Sequence, residues 1–80
     1  MRLDKYLKVS RLIKRRTVAN EACDKGLVLV NGEPRRASYE VKPGDEISLT
    51  LGQRSLTVEV LSTEERTGKA EAAALYREKG

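Results

Sequence analysis

The sequence contains no histidine, phenylalanine or tryptophan, and it has one cysteine among its 80 residues. A single cysteine cannot form a disulfide within the chain. Without histidine, the common zinc ligand sets and every histidine-based catalytic triad are excluded. Three tyrosines are the only aromatic residues, so we expect an aliphatic core. These absences leave few routes to enzymatic chemistry, and the sequence predicts no catalytic residue, no metal and no cofactor.

Long apolar runs are also absent. A membrane-spanning helix needs a run of about 18 apolar residues, which the chain does not contain. Charged residues begin at Arg2, unlike the start of a secretory signal. Eighty residues are enough for one small domain, which buries only about 60% of its unfolded surface. We therefore expect a cytosolic protein with a thin core and no membrane partner.

Positive charge is concentrated at the amino-terminal end of the chain. Residues 1–16 contain seven basic side chains and one acidic side chain, that of Asp4, for a local net charge of +6. The other 64 residues contain nine basic and eleven acidic side chains, for a net charge of −2. Evenly mixed charges would indicate an ordinary solvated surface. A cationic cluster with a single acid predicts binding to a polyanion, and nucleic acid is the leading candidate.

Two helices are predicted in this basic region. Residues 2–13 lack glycine and proline, and their apolar residues have helical spacing, with the basic side chains on nearly the opposite side. Thr17 is predicted to be the N-cap of a second helix, and Gly26 is predicted to end it in the left-handed conformation. The free N–H groups at the start of that helix would form an anion site beside Arg15 and Arg16.

Short antiparallel strands are predicted in the middle of the chain. The apolar run 27–30 is followed directly by Asn31-Gly32, a strong signal for a tight hairpin. Pro34 makes the next segment an edge strand or an irregular stretch. Residues 47–51 and 56–60 alternate apolar and polar side chains on either side of a turn. Together these patterns predict a small antiparallel sheet.

The carboxy-terminal segment has a different composition. Residues 62–68 are polar, and residues 69–79 are rich in alanine, which favours a helix. We therefore predict a domain at residues 1–61, followed at residues 62–80 by a polar linker and an Ala-rich helix or tail.

Other candidate chemistry in the sequence is weak. Cys23 lies on the apolar side of the second predicted helix, with no base near it in sequence, so it is interpreted as a buried small hydrophobe. Asp45 and Glu46 are adjacent, and adjacent residues of a strand face opposite sides, so they cannot form an acid/base pair. A minimal enzyme that uses Cys23 or acts on RNA is the alternative from another class. A third alternative is an adaptor that docks a protein at the edge near Pro34 or at the Ala-rich tail.

Four motifs, in this order, resemble those of the S4 RNA-binding domain. They are Arg2–Leu7, Lys14–Thr17 at the start of a helix, Gly26–Gly32, and Lys42–Ile47 together with Ser38 and Val41. The resemblance covers about residues 1–50. It implies an α+β fold in which two amino-terminal helices pack on a small antiparallel sheet, the αL motif, followed by a short C-terminal tail or helix. It also implies an RNA-binding helical face formed by Arg2, Lys5, Lys8, Arg11, Lys14, Arg15, Arg16 and Thr17, with Lys42 in a flanking loop.

The chain is similar to stand-alone members of this family that act in ribosome-associated quality control, and more distantly to the small heat-shock member. This resemblance implies a monomeric RNA-binding accessory factor without catalytic activity, which binds large ribosomal subunits that carry stranded peptidyl-tRNA. The implied partners are large-subunit rRNA, the tRNA, and an RqcH-type quality-control protein that the chain would assist in adding C-terminal alanines. A protein-interaction adaptor and a general structured-RNA-binding protein are the alternatives.

Overall fold

The structure is a computed structural model that describes residues 1–64 and 74–79. The described residues form two helices and one five-stranded sheet, in which every pair of neighbouring strands is antiparallel. The elements are α1 Leu3–Val9, α2 Arg16–Asp24, β1 Val28–Val30, β2 Glu33–Pro34, β3 Glu46–Leu51, β4 Arg54–Val60 and β5 Tyr76–Lys79. The strand order is β2-β1-β3-β4-β5, which confirms the predicted α+β architecture. No helix within the described ranges is long and apolar enough to span a membrane.

The core is aliphatic and lies between the helices and the sheet. Val28 and Val30 of β1 pair with Leu49 and Ile47 of β3, and Ile47 in turn pairs with Val58 of β4. These side chains share one face of the sheet, because residues two apart along a strand point the same way. All of them are buried. The helices contribute Leu3, Tyr6, Leu7, Ala19 and Ala22 to the same cluster.

The hairpin between β1 and β2 forms at the predicted position. Asn31 and Gly32 have φ values of 53° and 85°, the left-handed pair that a type I′ turn requires. The Asn31 side chain also accepts a hydrogen bond from the backbone N–H of Glu46 at 3.0 Å. The turn is therefore connected to the start of β3 as well as to its own hairpin.

Helix α1 is shorter than the pattern over residues 2–13 predicts. It ends at Val9, and Arg11 adopts a φ of 63°, which is uncommon for a residue other than glycine. The backbone N–H of Arg11 donates to Lys8 and that of Ile13 donates to Leu7, each at 3.0 Å. This turn redirects the chain and buries Ile13, so tertiary packing overrides the local helical preference.

The start of α2 also differs from the prediction, whereas its end agrees with it. Thr17 is not the N-cap, because the helix begins at Arg16 and the extended residue Arg15 precedes it, without a side-chain capping bond. At the other end Gly26 has a φ of 73°. Two hydrogen bonds close this end of α2, as in a Schellman motif. The Gly26 N–H donates to the Cys23 carbonyl, and the Leu27 N–H donates to the Ala22 carbonyl.

The carboxy-terminal segment forms a strand where a helix was predicted. Residues 76–79 are strand β5, which pairs with the outer edge of β4, so the prediction of a helix is wrong there. Residues 69–73 of that predicted helix lie outside the described residues. Leu75 is fully buried, and its carbonyl accepts hydrogen bonds from the Tyr6 hydroxyl at 2.7 Å and from the Leu61 N–H at 2.9 Å. Backbone partners on β4 and the burial of Leu75 outweigh the helix preference predicted for residues 76–79. The predicted domain boundary after residue 61 stays a prediction.

Candidate nucleic-acid interface

A buried carboxylate, that of Asp4, lies at the centre of the cationic end of the molecule. Its side chain is only 4% exposed. The Nε atom of Arg2 lies 3.2 Å from Asp4 Oδ1, and the Nε atom of Arg16 lies 3.3 Å from Oδ2. Asn20 Nδ2 donates to Oδ2 at 3.4 Å, and the backbone N–H of Lys5 donates to Oδ1 at 2.8 Å. One anion therefore orients two arginines that belong to different parts of the chain.

The two helices position these groups by their periodicity. Asp4 lies on the inward side of α1 together with Leu3 and Leu7. Arg16 and Asn20 are four residues apart in α2, so they share one face of that helix. The start of α1 is held in place because its first two N–H groups donate to carbonyls of the loop at residues 37–39.

The pKa of Asp4 reflects this arrangement. Burial raises the pKa, but hydrogen bonds from Arg16, Asn20 and the Lys5 N–H, together with the charge of Arg16, outweigh burial and hold it below the usual value. The carboxylate is therefore ionised at neutral pH. A pKa that is lowered in the folded state stabilises the fold above the pKa of the unfolded chain, and this stabilisation is lost as the pH falls through the folded-state value.

A cleft of about 500 Å³ opens beside Asp4. It is lined by Arg2, Asp4, Arg16, Thr17, Asn20 and Glu21. The arginine side chains are 49% and 47% exposed, whereas the carboxylate between them is buried. A guanidinium has five N–H donors, so each arginine retains donors for a ligand after pairing with Asp4. The cleft can therefore present two oriented cationic groups to a phosphate, with Glu21 as the acid at its rim.

The structure brings together only part of the predicted site. Arg2, Arg16 and Thr17 line the Asp4 cleft. Of the other predicted residues in and between the helices, Lys5 is half-buried, and Lys8, Lys14 and Arg15 are exposed. Lys42 is exposed in the loop before β3, where its backbone N–H donates to Asp45 at 3.0 Å.

Arg11 lies elsewhere. It lines a second cleft of about 310 Å³, whose other walls include Arg54 and Tyr76 from the sheet. The left-handed turn after α1 explains this placement. The helix ends before Arg11, so Arg11 does not continue the helical row of Lys5 and Lys8. The nine predicted residues therefore do not converge on one cleft.

Comparison with known proteins shows the family to which the chain belongs. The model of the S4 domain family matches residues 1–47. The chain belongs to the S4 domain family. It is 54% identical over 76 residues to the RQC P-site tRNA stabilizing factor of Bacillus subtilis, an alignment that covers 95% of this chain and 88% of that protein. Heat shock protein 15 of Escherichia coli is 38% identical over 79 residues, which cover 98% of this chain and 59% of that protein.

A solved structure supports the S4 fold over almost the whole chain. The trimeric structure of Vibrio cholerae heat shock protein 15 superposes with a TM-score of 0.91 at 35% sequence identity. The superposition covers 99% of this chain and 81% of that one. The helices that line the Asp4 cleft are therefore those of an S4 fold.

Three residues of the cleft, Asp4, Asn20 and Glu21, were not among the predicted site residues of this S4 domain. A signal for Asp4 was present, since it is the only acid among the first 16 residues and lies three positions before Leu7, at the border of the apolar side of the first predicted helix. A carboxylate buried on that side needs hydrogen-bonding or charged partners. No comparable signal marks Asn20, whose contact with Asp4 depends on how the two helices pack.

Cys23 offers a test of the prediction that this S4 domain uses no thiol chemistry. The side chain is 5% exposed, and burial, followed by the charges of Asp4 and Asp24, raises its pKa to about 11. The thiolate is therefore a minor species at neutral pH. We expect native protein at pH 7.5 to react with Ellman's reagent at least about a hundredfold more slowly than urea-unfolded protein, as for an inert buried cysteine. Equal rates would show an accessible, reactive thiol.

Metal chemistry has no candidate ligand set in residues 1–64 and 74–79. These ranges contain no group of three or more Cys, Asp or Glu side chains arranged to hold an ion. The Asp4 carboxylate instead accepts hydrogen bonds from N–H donors.

Proposed function

We propose that this S4 domain protein is a non-catalytic, cytosolic RNA-binding factor of ribosome-associated quality control. It binds large ribosomal subunits that carry stranded peptidyl-tRNA, through contacts with rRNA and tRNA, and assists an RqcH-type protein in adding C-terminal alanines. The observation that carries the proposal is the pair Arg2 and Arg16, both oriented by Asp4 and both half exposed. The name of the Bacillus subtilis relative, a P-site tRNA stabilizing factor, supports the same role.

The physical basis of the proposed role is electrostatic and geometric. A Lys or Arg placed against a backbone phosphate releases condensed counterions, and arginine can also bind two phosphate oxygens at once. Arg2 and Arg16 are held in place before RNA arrives, so less side-chain freedom is lost on binding. The surface is extended by Thr17 and by the surrounding basic residues Lys5, Lys8, Lys14, Arg15 and Lys42. Arg11 offers a further RNA contact from the second cleft. Such a surface stabilises one tRNA position by adding contacts to it, without any bond being made or broken.

The first experiment measures how affinity for large subunits depends on salt. With about five phosphate contacts, log affinity should fall with log salt at a slope of roughly −3.5 to −4.5. Arg16→Ala should weaken binding and make the slope shallower by about 1. The Arg16→Ala variant should keep its fold, because Asp4 retains the hydrogen bonds from Arg2, Asn20 and Lys5.

Arg77→Ala is the matched control, since Arg77 is an exposed arginine of β5 that pairs with one acid, Glu59, and lines neither of the two clefts. It should leave the affinity for large subunits nearly unchanged. A wild-type slope near zero, or equal losses in both variants, would contradict the proposed role of the Asp4 cleft.

A second experiment tests the cellular assignment. Tagged protein should be enriched in the large-subunit fractions of a sucrose gradient, together with peptidyl-tRNA. Recovery mainly with messenger or small RNA would point to a general RNA-binding role. Association with a protein that survives ribonuclease and high salt would favour the adaptor function instead.

A further inference from the structure

The loop between β2 and β3 carries a second cationic feature that was not among the predicted site residues. It forms a cleft of about 370 Å³ lined by Pro34, Arg35, Arg36, Ser38 and Tyr39. The guanidinium carbon of Arg35 lies 5.2 Å from the centre of the Tyr39 ring, which is a cation–π distance. The edge of the same guanidinium is paired with Glu33 at 2.7 Å. Arg35 is therefore held by two partners, Tyr39 and Glu33, and 41% of its side chain remains exposed.

Arg36 differs from its neighbour in its charge environment. It is exposed, and within residues 1–64 and 74–79 it has no ion pair. The positive charge of Arg35 is largely offset by Glu33, whereas that of Arg36 is available to a ligand. The loop thus offers a planar surface and a separate unneutralised cation in adjacent residues.

The loop is rigidly attached to the Asp4 cleft. The carbonyls of Ala37 and Tyr39 accept the first two N–H groups of α1, from Asp4 at 3.1 Å and from Leu3 at 2.8 Å. The N–H of Tyr39 also donates to the Arg36 carbonyl at 3.0 Å, which closes the turn. Arg36 is therefore one residue away from a direct backbone contact with Asp4. A strand that binds Arg2 at the start of α1 lies close enough to reach the loop.

We propose that this loop binds one unpaired nucleotide of the RNA, a proposal that rests on the proposed RNA-binding function. The base stacks on the Arg35 guanidinium, which Tyr39 and Glu33 hold in place, and Arg36 contacts the adjoining phosphate. Exposed bases in loops and bulges stack on arginine planes, whereas bases inside a helix have no free face to offer. The cleft is within the size range of small-ligand pockets. The loop thus distinguishes an RNA with a flipped-out base from a continuous duplex.

The test uses two synthetic RNA hairpins that are identical except at one bulged position, which is adenosine in one and an abasic ribose in the other. Wild-type protein should bind the adenosine hairpin about 5- to 150-fold more tightly, the range expected for one stacked base. Arg35→Lys keeps the charge and removes the plane, so it should abolish this preference and leave the affinity for the abasic hairpin unchanged. Arg36→Gln should weaken binding to both hairpins by the same factor.

Arg77→Gln is the control for loss of one exposed arginine, and it should change neither affinity nor preference. Thermal unfolding of each variant verifies that the fold is intact. The inference is overturned if wild-type protein binds the two hairpins equally or not at all, or if Arg35→Lys keeps the full preference. Binding of wild-type protein to large subunits is measured in parallel to separate the two proposals. Absence of subunit binding refutes the proposed function. Subunit binding without a preference for the adenosine hairpin refutes only the nucleotide site.

Discussion

Replacing Asp4 with asparagine is expected to weaken binding to large ribosomal subunits about tenfold, although the substitution makes the protein more positive. The carboxylate is the common partner of Arg2 and Arg16. Without its charge both arginines regain side-chain freedom, which costs about 0.5–1.5 kcal/mol for each side chain that must be ordered again on binding. The sum for two arginines corresponds to a loss of roughly 5- to 150-fold in affinity.

Glu21→Gln is the matched control for this prediction. Glu21 lines the same cleft, is exposed, and loses the same charge on substitution. Removal of an exposed acid beside bound phosphate should strengthen binding by a small factor, about two- to threefold, because the charge acts through screened solvent. The two variants therefore have the same net charge and opposite expected effects.

The outcomes separate two explanations of the cationic surface. If binding depended only on the amount of positive charge, Asp4→Asn and Glu21→Gln would both bind more tightly. Opposite changes indicate that Asp4 acts by orienting the arginines. Urea unfolding should show Asp4→Asn destabilised by about 1–3 kcal/mol, the range for a buried group that loses charged hydrogen bonds. Binding is therefore compared at low temperature, where both variants are fully folded.

Leu75→Ala is expected to lower the free energy of unfolding by about 2–5 kcal/mol, the range for truncation of a fully buried leucine. The side chain is 0% exposed and lies in the core cluster with residues from both helices and the sheet. In a domain of this size such a loss is a large fraction of the total stability. The measurement is equilibrium urea unfolding followed by circular dichroism.

Leu61→Ala provides the comparison for the carboxy-terminal segment. Leu61 is 47% exposed, although its backbone N–H also donates to the Leu75 carbonyl. Its truncation should cost less than about 1 kcal/mol, since little apolar surface is lost from the core. Similar effects of the two substitutions would show that the carboxy-terminal segment does not pack as described.

Local patterns predicted most of the elements because their causes are local. Asn31-Gly32 required a left-handed turn pair, and Gly26 ended α2, since both features depend on the φ values of one or two residues. Alternation identified β3 and β4 because a half-buried strand exposes every second side chain. The end of α1 at Val9 had no such signal, as Arg11 is an L-residue in a conformation that local preference disfavours.

The carboxy-terminal strand shows the limit of composition as a guide. Alanine preference predicted a helix over residues 69–79, yet Tyr76 pairs with Val60 and Lys79 pairs with Thr57. An open edge of β4 supplied backbone partners that no helix propensity could anticipate. The tertiary contact from the Tyr6 hydroxyl to the Leu75 carbonyl spans 69 positions in sequence.

The sequence by itself determined the kind of surface this protein has: a cluster of seven basic side chains with one acid, on motifs typical of an S4 domain. Only the tertiary structure decided which of those charges act together. Arg16 and Asn20 reach Asp4 from 12 and 16 positions away, and Arg11 turns toward a different cleft. Charge and periodicity are properties of a segment, whereas orientation of a side chain depends on the partners that packing brings to it.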